Sequence, residues 1–259
     1  MSPIYNKPIG NVWKLSRHPA CNSGTQRVTN VVGEWVWMIV LDGIYYALGL
    51  TVGGLLVSYL TNAWFGLPLY ILAVFCLYFF RDPERVIPAG PVAVSPADGK
   101  VVAVKQEADN QVRISIFLNI FDVHVNRAPI GGAIADVQYR KGHFHVASRE
   151  ECSEENEQNV VSVRGDGTCV VFKQIAGLIA RRIVFTKQPG DMVAKGERVG
   201  LIKFGSRVDV LFGPEWEVVV QPGMRVLAGS SVIARRGDFS GERIQAAQQP
   251  VQELAHASA

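Results

Sequence analysis

The sequence predicts an α+β chain in which an apolar helical hairpin precedes a mainly β portion that ends as a flattened barrel sandwich. Three observations carry this reading. Two apolar runs are separated by a short break at Thr61-Asn62-Ala63. Near Val86 the texture changes to short β-branched runs cut by Gly, Pro and Asp. The stretch 189–200 is echoed at 222–233 with matching glycines.

The elements follow in order. Residues 1–34 are polar, lack periodicity and are expected to be a flexible N-terminal segment. The run 36–60 carries Asp42 as its only charge and is long enough to cross a hydrocarbon core of ~30 Å as a helix; the run 64–80 is marginal at that task. The first run starts well beyond the usual position of a secretory signal. Trp35, Trp37, Trp64, Tyr78, Phe79 and Phe80 bracket the pair as an interfacial aromatic belt would. Lys7, Lys14, Arg17 and Arg27 precede it and Arg81, Arg85 and Lys100 follow, which places both ends on the cytoplasmic side. A hairpin over 35–85 at the cell membrane is the expectation, with a pair of buried core helices as the alternative. Spanning and one-leaflet insertion both stay open, since Asp42, Gly49, Gly53, Gly54 and Pro68 weaken a spanning helix.

In 86–234 the runs 92–94, 101–104, 112–118, 160–163 and 168–172 read as strands, and no long stretch has helical periodicity. The tail 235–259, rich in Gln, Ala and Ser, is expected to be disordered. A net charge of +3 without a basic stripe argues against nucleic acid as a partner. Cys21, Cys76, Cys152 and Cys169 form no Cys-x-x-Cys pair and read as reduced structural thiols. His143 and His145 share one strand face, yet no third ligand lies nearby, so no metal site is expected. Glu150, Glu151, Glu154 and Glu155 read as a solvated loop, and Arg181-Arg182 as either a lipid-phosphate contact or a solvated strand end.

The echo pairs Pro189-Gly190 to Gly196 with Pro222-Gly223 to Gly229, and glycine supplies the positive-φ positions that tight reversals need. The arrangement resembles the flattened barrels of biotinyl and lipoyl carrier domains. The interval between the echoes contains Lys203, but without the Met-Lys-Met or Asp-Lys-Ala setting of a modified carrier lysine. Ser230 and Ser231 read as turn residues of the second echo.

Four ordered motifs carry a further resemblance: Phe79-Phe80-Arg81-Asp82-Pro83-Glu84-Arg85, Ser95-Pro96-Ala97-Asp98-Gly99-Lys100-Val101, Asp122-Val123-His124-Val125-Asn126-Arg127-Ala128-Pro129 and Lys195-Gly196-Glu197-Arg198-Val199-Gly200-Leu201-Ile202-Lys203-Phe204-Gly205-Ser206-Arg207-Val208-Asp209. With Asn156-Glu157 they span roughly residues 35–234, and the chain resembles the short form of the phosphatidylserine decarboxylases. The resemblance implies self-cleavage between Gly205 and Ser206. The Ser206 hydroxyl, once a base takes its proton, attacks the Gly205 carbonyl, and Gly205 lacks the Cβ that would hinder a strained turn. Elimination and loss of ammonia leave a pyruvoyl group at 206, with a large chain of 1–205 and a small chain of 206–259. The ketone is expected to hold the substrate amine as a Schiff base while CO2 leaves.

The resemblance also implies roles for Asp98 and His124. Long-form relatives carry Asp-x-His-x-x-His-x-Pro, and Arg127 stands here where their second histidine, the cleavage base, would be. His124 is therefore expected in the site as cleavage base, as proton donor after decarboxylation, or as both. The expected partners are a phospholipid substrate and the membrane, with homo-oligomerisation left open. Two rivals remain: a membrane-tethered carrier-like domain that never cleaves, and a pyruvoyl decarboxylase of another serine-headed lipid.

Overall fold

The computed structural model describes residues 32–143, 152–177, 182–203 and 206–237. The expectations for residues 1–31, for the tail beyond 237, and for Cys21, His145, Arg181 and Gly205 lie outside the described residues.

Both apolar runs are helical, as α1 (Val32–Leu60) and α2 (Ala63–Phe79). The side chain of Asn62 caps α2 by accepting a hydrogen bond from Trp64 N. The helices are antiparallel: Gly43 lies against Phe80, and Gly54 against Tyr70. Glycine lets the backbones approach, since a Cβ on Gly66 would stand 2.6 Å from the Gly54 carbonyl oxygen. The outer surface, including Leu48, Leu55, Leu60, Phe65 and Val74, is exposed, so these are not a buried core pair. Asp42–Leu60 is long and apolar enough to cross a membrane; α2, with 17 residues, is shorter.

The rest is mainly β. In chain order the strands are β1 (Val92–Val94), β2 (Gly99–Gln106), β3 (Val112–Leu118), β4 (Val125–Arg127) and β5 (Gly132–Arg140). After the short helix α3 (Cys152–Glu155) come β6 (Gln158–Gly165), β7 (Thr168–Ile175), β8 (Arg182–Phe185), β9 (Met192–Val193) and β10 (Arg198–Lys203). The last four are β11 (Ser206–Phe212), β12 (Trp216–Val218), β13 (Arg225–Val226) and β14 (Val232–Arg236). An eight-stranded sheet runs β13-β2-β3-β11-β7-β6-β5-β9, and two three-stranded sheets run β4-β10-β8 and β1-β14-β12.

Alternation along the strands builds the core. Ile114, Ile116, Val161, Phe172, Val208 and Val210 of the large sheet pack with Ile202 and Ile233 of the small ones. A second cluster joins the hairpin to the β4-β10-β8 sheet through Phe79, Phe80, Val123, Val125 and Leu201. The echo is also a structural one. Gly190 and Gly223 share φ +97, and Gly196 and Gly229 have φ +76 and +75, a region other residues adopt only with strain. Both later glycines approach Ile87, so the two turns meet over one side chain.

Candidate active site

Topology brings the predicted residues together. β3 pairs with β11 so that Leu118 faces Ser206, and β4 pairs with β10 so that Val125 faces Leu201. The segment 119–124 and the link 204–205 therefore connect the same two sheets. The first carries His124; the second carries the predicted cleavage bond. Phe204 and Gly205 themselves lie outside the described residues.

Ser206 opens β11, fully buried, and its Oγ has no hydrogen-bond partner among the described residues. Buried hydroxyls are ordinarily bonded, so one left unpaired at this position marks a reactive site more readily than a structural one. The next residues are held firmly. Arg207 Nε donates to Asp209 Oδ1 at 2.6 Å and Nη2 donates to Ser115 Oγ at 2.6 Å. Asp209 also accepts from Arg113 Nη1 at 3.2 Å and from Ser153 Oγ at 2.8 Å. Buried charges persist only when paired and bonded in this way.

His124 is 2% exposed, and its ring stacks against Phe79 with centroids 4.4 Å apart. Its Nδ1 lies 2.9 Å from the Asp122 carbonyl oxygen. A carbonyl only accepts, so Nδ1 carries the hydrogen in the neutral ring and Nε2 is the basic nitrogen. Burial lowers the pKa to about 4, against a smaller opposing pull from the Asp122 carbonyl and carboxylate. The ring is therefore neutral at pH 7.

Asp98 is also buried, but among the described residues it does not bond His124. Its carboxylate accepts from Arg85 Nη2 at 2.7 Å and from Ala228 N at 2.7 Å. Burial raises its pKa, with the Ala228 amide and the Arg85 guanidinium pulling the other way. Arg127, in the place of the long-form histidine, is an ion-pair residue. It donates to Asp82 Oδ1 at 2.8 Å and to the Gly196 carbonyl at 3.1 Å, and Arg198 shares the same Asp82 carboxylate.

Arg85, Asp82 and Arg198 are contributors that sequence reasoning passed over as site residues. Asp82 and Arg85 lie in a quoted motif, but their partners are distant in sequence. Lys203, the carrier-like candidate, instead donates to Asp42 Oδ2 of α1 at 2.8 Å. Ser231 behaves as a turn residue, accepting from Leu227 N at 2.9 Å. His143 is exposed beside Asn156. A cavity of about 460 Å³ lined by Thr168, Phe212 and Glu215 lies at the far end of β11 from Ser206.

A family model described as phosphatidylserine decarboxylase matches residues 72–234. Over 200 residues the chain is 71% identical to a phosphatidylserine decarboxylase proenzyme of Solibacter usitatus (strain Ellin6076), covering 77% of this chain and 98% of that protein. It is 43% identical over 210 residues to the proenzyme of Carboxydothermus hydrogenoformans, covering 78% of this chain and 94% of that one. With the proenzyme of Erythrobacter litoralis (strain HTCC2594) it shares 44% identity over 229 residues, 79% of this chain and 90% of that protein.

Proposed function

The chain belongs to the phosphatidylserine decarboxylase family and decarboxylates phosphatidylserine to phosphatidylethanolamine and CO2, and from that premise we propose that it first cleaves itself between Gly205 and Ser206. The observation that carries the proposal is the buried Ser206 hydroxyl at the start of β11, without a hydrogen-bond partner among the described residues and beside the loop that bears His124.

The steps follow from the residues. A neutral base takes the Ser206 proton as Oγ attacks the Gly205 carbonyl carbon, and the C–N bond breaks to leave an ester. Loss of the Ser206 α-proton expels the Gly205 carboxylate and leaves dehydroalanine at 206. Water then displaces ammonia, and a pyruvoyl cap remains on the small chain. A pyruvoyl group there supplies a ketone for the substrate amine and an adjacent carbonyl for the electron pair that CO2 leaves behind.

His124 has the properties for one or both proton transfers: a neutral ring, a fixed tautomer and a place in the adjoining loop. It would take the Ser206 proton during cleavage or deliver a proton to the substrate Cα during turnover. Asp98 would act at one remove, fixing Arg85 and the Ala228 turn.

The hairpin would hold the enzyme to the cytoplasmic face of the membrane, where the lipid headgroup meets its base at Phe79 and Phe80. The division into hairpin, β-rich catalytic portion and tail belongs to the same reading. The echoed turns around Ile87 support a carrier-like barrel for the C-terminal portion. Labelled phosphatidylserine tests the activity: wild type releases CO2, and Ser206→Ala, which cannot form the ketone, releases none. Equal release by the two would overturn the pyruvoyl reading.

A further inference from the structure

Asp42 is the only charge in the run 36–60, and in the structure its carboxylate accepts from Lys203 Nζ at 2.8 Å. Lys203 is the last residue of β10, held to Arg182 of β8, and Ser206 is the first residue of β11, held to Leu118 of β3. Only two residues join these fixed ends. The placement of Lys203 therefore sets one end of the corner containing the bond to be cut.

The pairing is built into the packing. Leu201 and Lys203 point to one side of β10, and Leu201 packs with Phe79 and Phe80 while Ile202 faces the main core. The Lys203 ammonium sits 5.5 Å from the Tyr46 ring and 5.4 Å from the Phe80 ring, so aromatic faces flank it on the hairpin side. Gly43 permits this seating, because a Cβ there would stand 2.6 Å from Phe80 Cβ. A lone carboxylate in an apolar helix is unfavourable unless paired. Here the partner is the residue from which the cleavage corner departs.

We propose that Asp42 and Lys203 are positioning residues for self-cleavage: the hairpin is a wall of the processing site as well as an anchor, and this ion pair sets its register. The proposal rests on cleavage at Gly205-Ser206. It explains why one acidic residue stands in the otherwise uncharged run 36–60, and it links seating of the hairpin to activation of the proenzyme.

The test is a processing time course of full-length protein synthesised into nanodiscs, read as precursor fraction on a gel. Asp42→Asn and Lys203→Met should each slow cleavage about 10–100-fold, the range expected when reacting groups are displaced by about an ångström. Asp42→Glu should stay near wild type. The exchange Asp42→Lys with Lys203→Asp should recover most of the rate, which a loss of folding or of generic packing would not allow. Wild-type kinetics in both single variants would overturn the proposal, as would an exchange no faster than the singles. A wild type uncut at 205–206 would instead overturn the cleavage reading beneath it.

Discussion

The Phe79 ring, at the last position of α2, lies 4.4 Å from the His124 ring, so the end of the hairpin is packed onto the histidine of the site. This contact contributes to the burial that keeps the ring neutral, and it gives His124 a distinctive pH signature.

If His124 is the cleavage base, the processing rate should be flat from about pH 8 down to about pH 5 and fall with a midpoint near 4, because that is where the ring protonates. Stability moves with the same group. The unfolded histidine takes up its proton near 6.5, above the folded value of about 4, so stability is lost as pH falls through that window and this group adds no loss below it. A processing midpoint near 6.5 would contradict the neutral buried ring.

Replacing the histidine separates its two roles. With His124→Ala, accumulation of full-length precursor identifies the cleavage base. Normal cleavage with turnover reduced ~10²–10⁴-fold identifies the proton donor. Asp98→Ala should affect cleavage through Arg85 and Ala228, and Arg85→Ala should reproduce its effect. Precursor fraction and labelled CO2 release, measured on the same samples, distinguish these outcomes.

Arg127 should behave as a stability residue. Its side chain and that of Asp82 are both almost fully buried, so Arg127→Met should cost roughly 1.5–3 kcal/mol, because the carboxylate loses one guanidinium partner and keeps Arg198. Asp82→Asn should destabilise as well, and the double variant by less than the sum. Apparent Tm in mild detergent measures all three, and strict additivity would contradict the shared pair.

These relationships also show what could be read from the sequence. The strand read at 112–118 coincides with β3, and the apolar runs became α1 and α2, because periodicity and apolar length are local properties. The echo at 190–196 and 223–229 was legible for the same reason, since positive-φ turns leave glycines behind. β5 was missed, because Gly132–Arg140 mixes exposed polar residues into a strand bordered by the short β9. Ser206 and His124 were singled out through motifs. The pairs Asp98–Arg85, Asp82–Arg127 and Asp42–Lys203 were not, because each joins elements that only the folded topology brings together.

Membrane attachment should resist salt. The exposed apolar faces of α1 and α2 interact through burial, which is not screened, whereas surface charge pairing is screened to ~3 Å at 1 M salt. A wash at that ionic strength should leave the protein in the membrane pellet. Complete release would indicate a purely electrostatic association.

The cut chains should remain together. After a cut at Gly205-Ser206, β11 would belong to the small chain but lie between β3 and β7 of the large one, with Arg207 bonding Ser115 across that boundary. Both pieces should co-elute on gel filtration in mild detergent and separate only on denaturation. Separate elution would contradict the central place of β11.

Intact-mass spectrometry of purified wild type beside Ser206→Ala tests the central claim most directly. The account predicts two wild-type chains, one ending at Gly205 and one beginning at residue 206, the second lighter by one ammonia than simple hydrolysis would leave it. Ser206→Ala should give one full-length mass. An unmodified full-length wild type, or a cut at Gly229-Ser230, would contradict it.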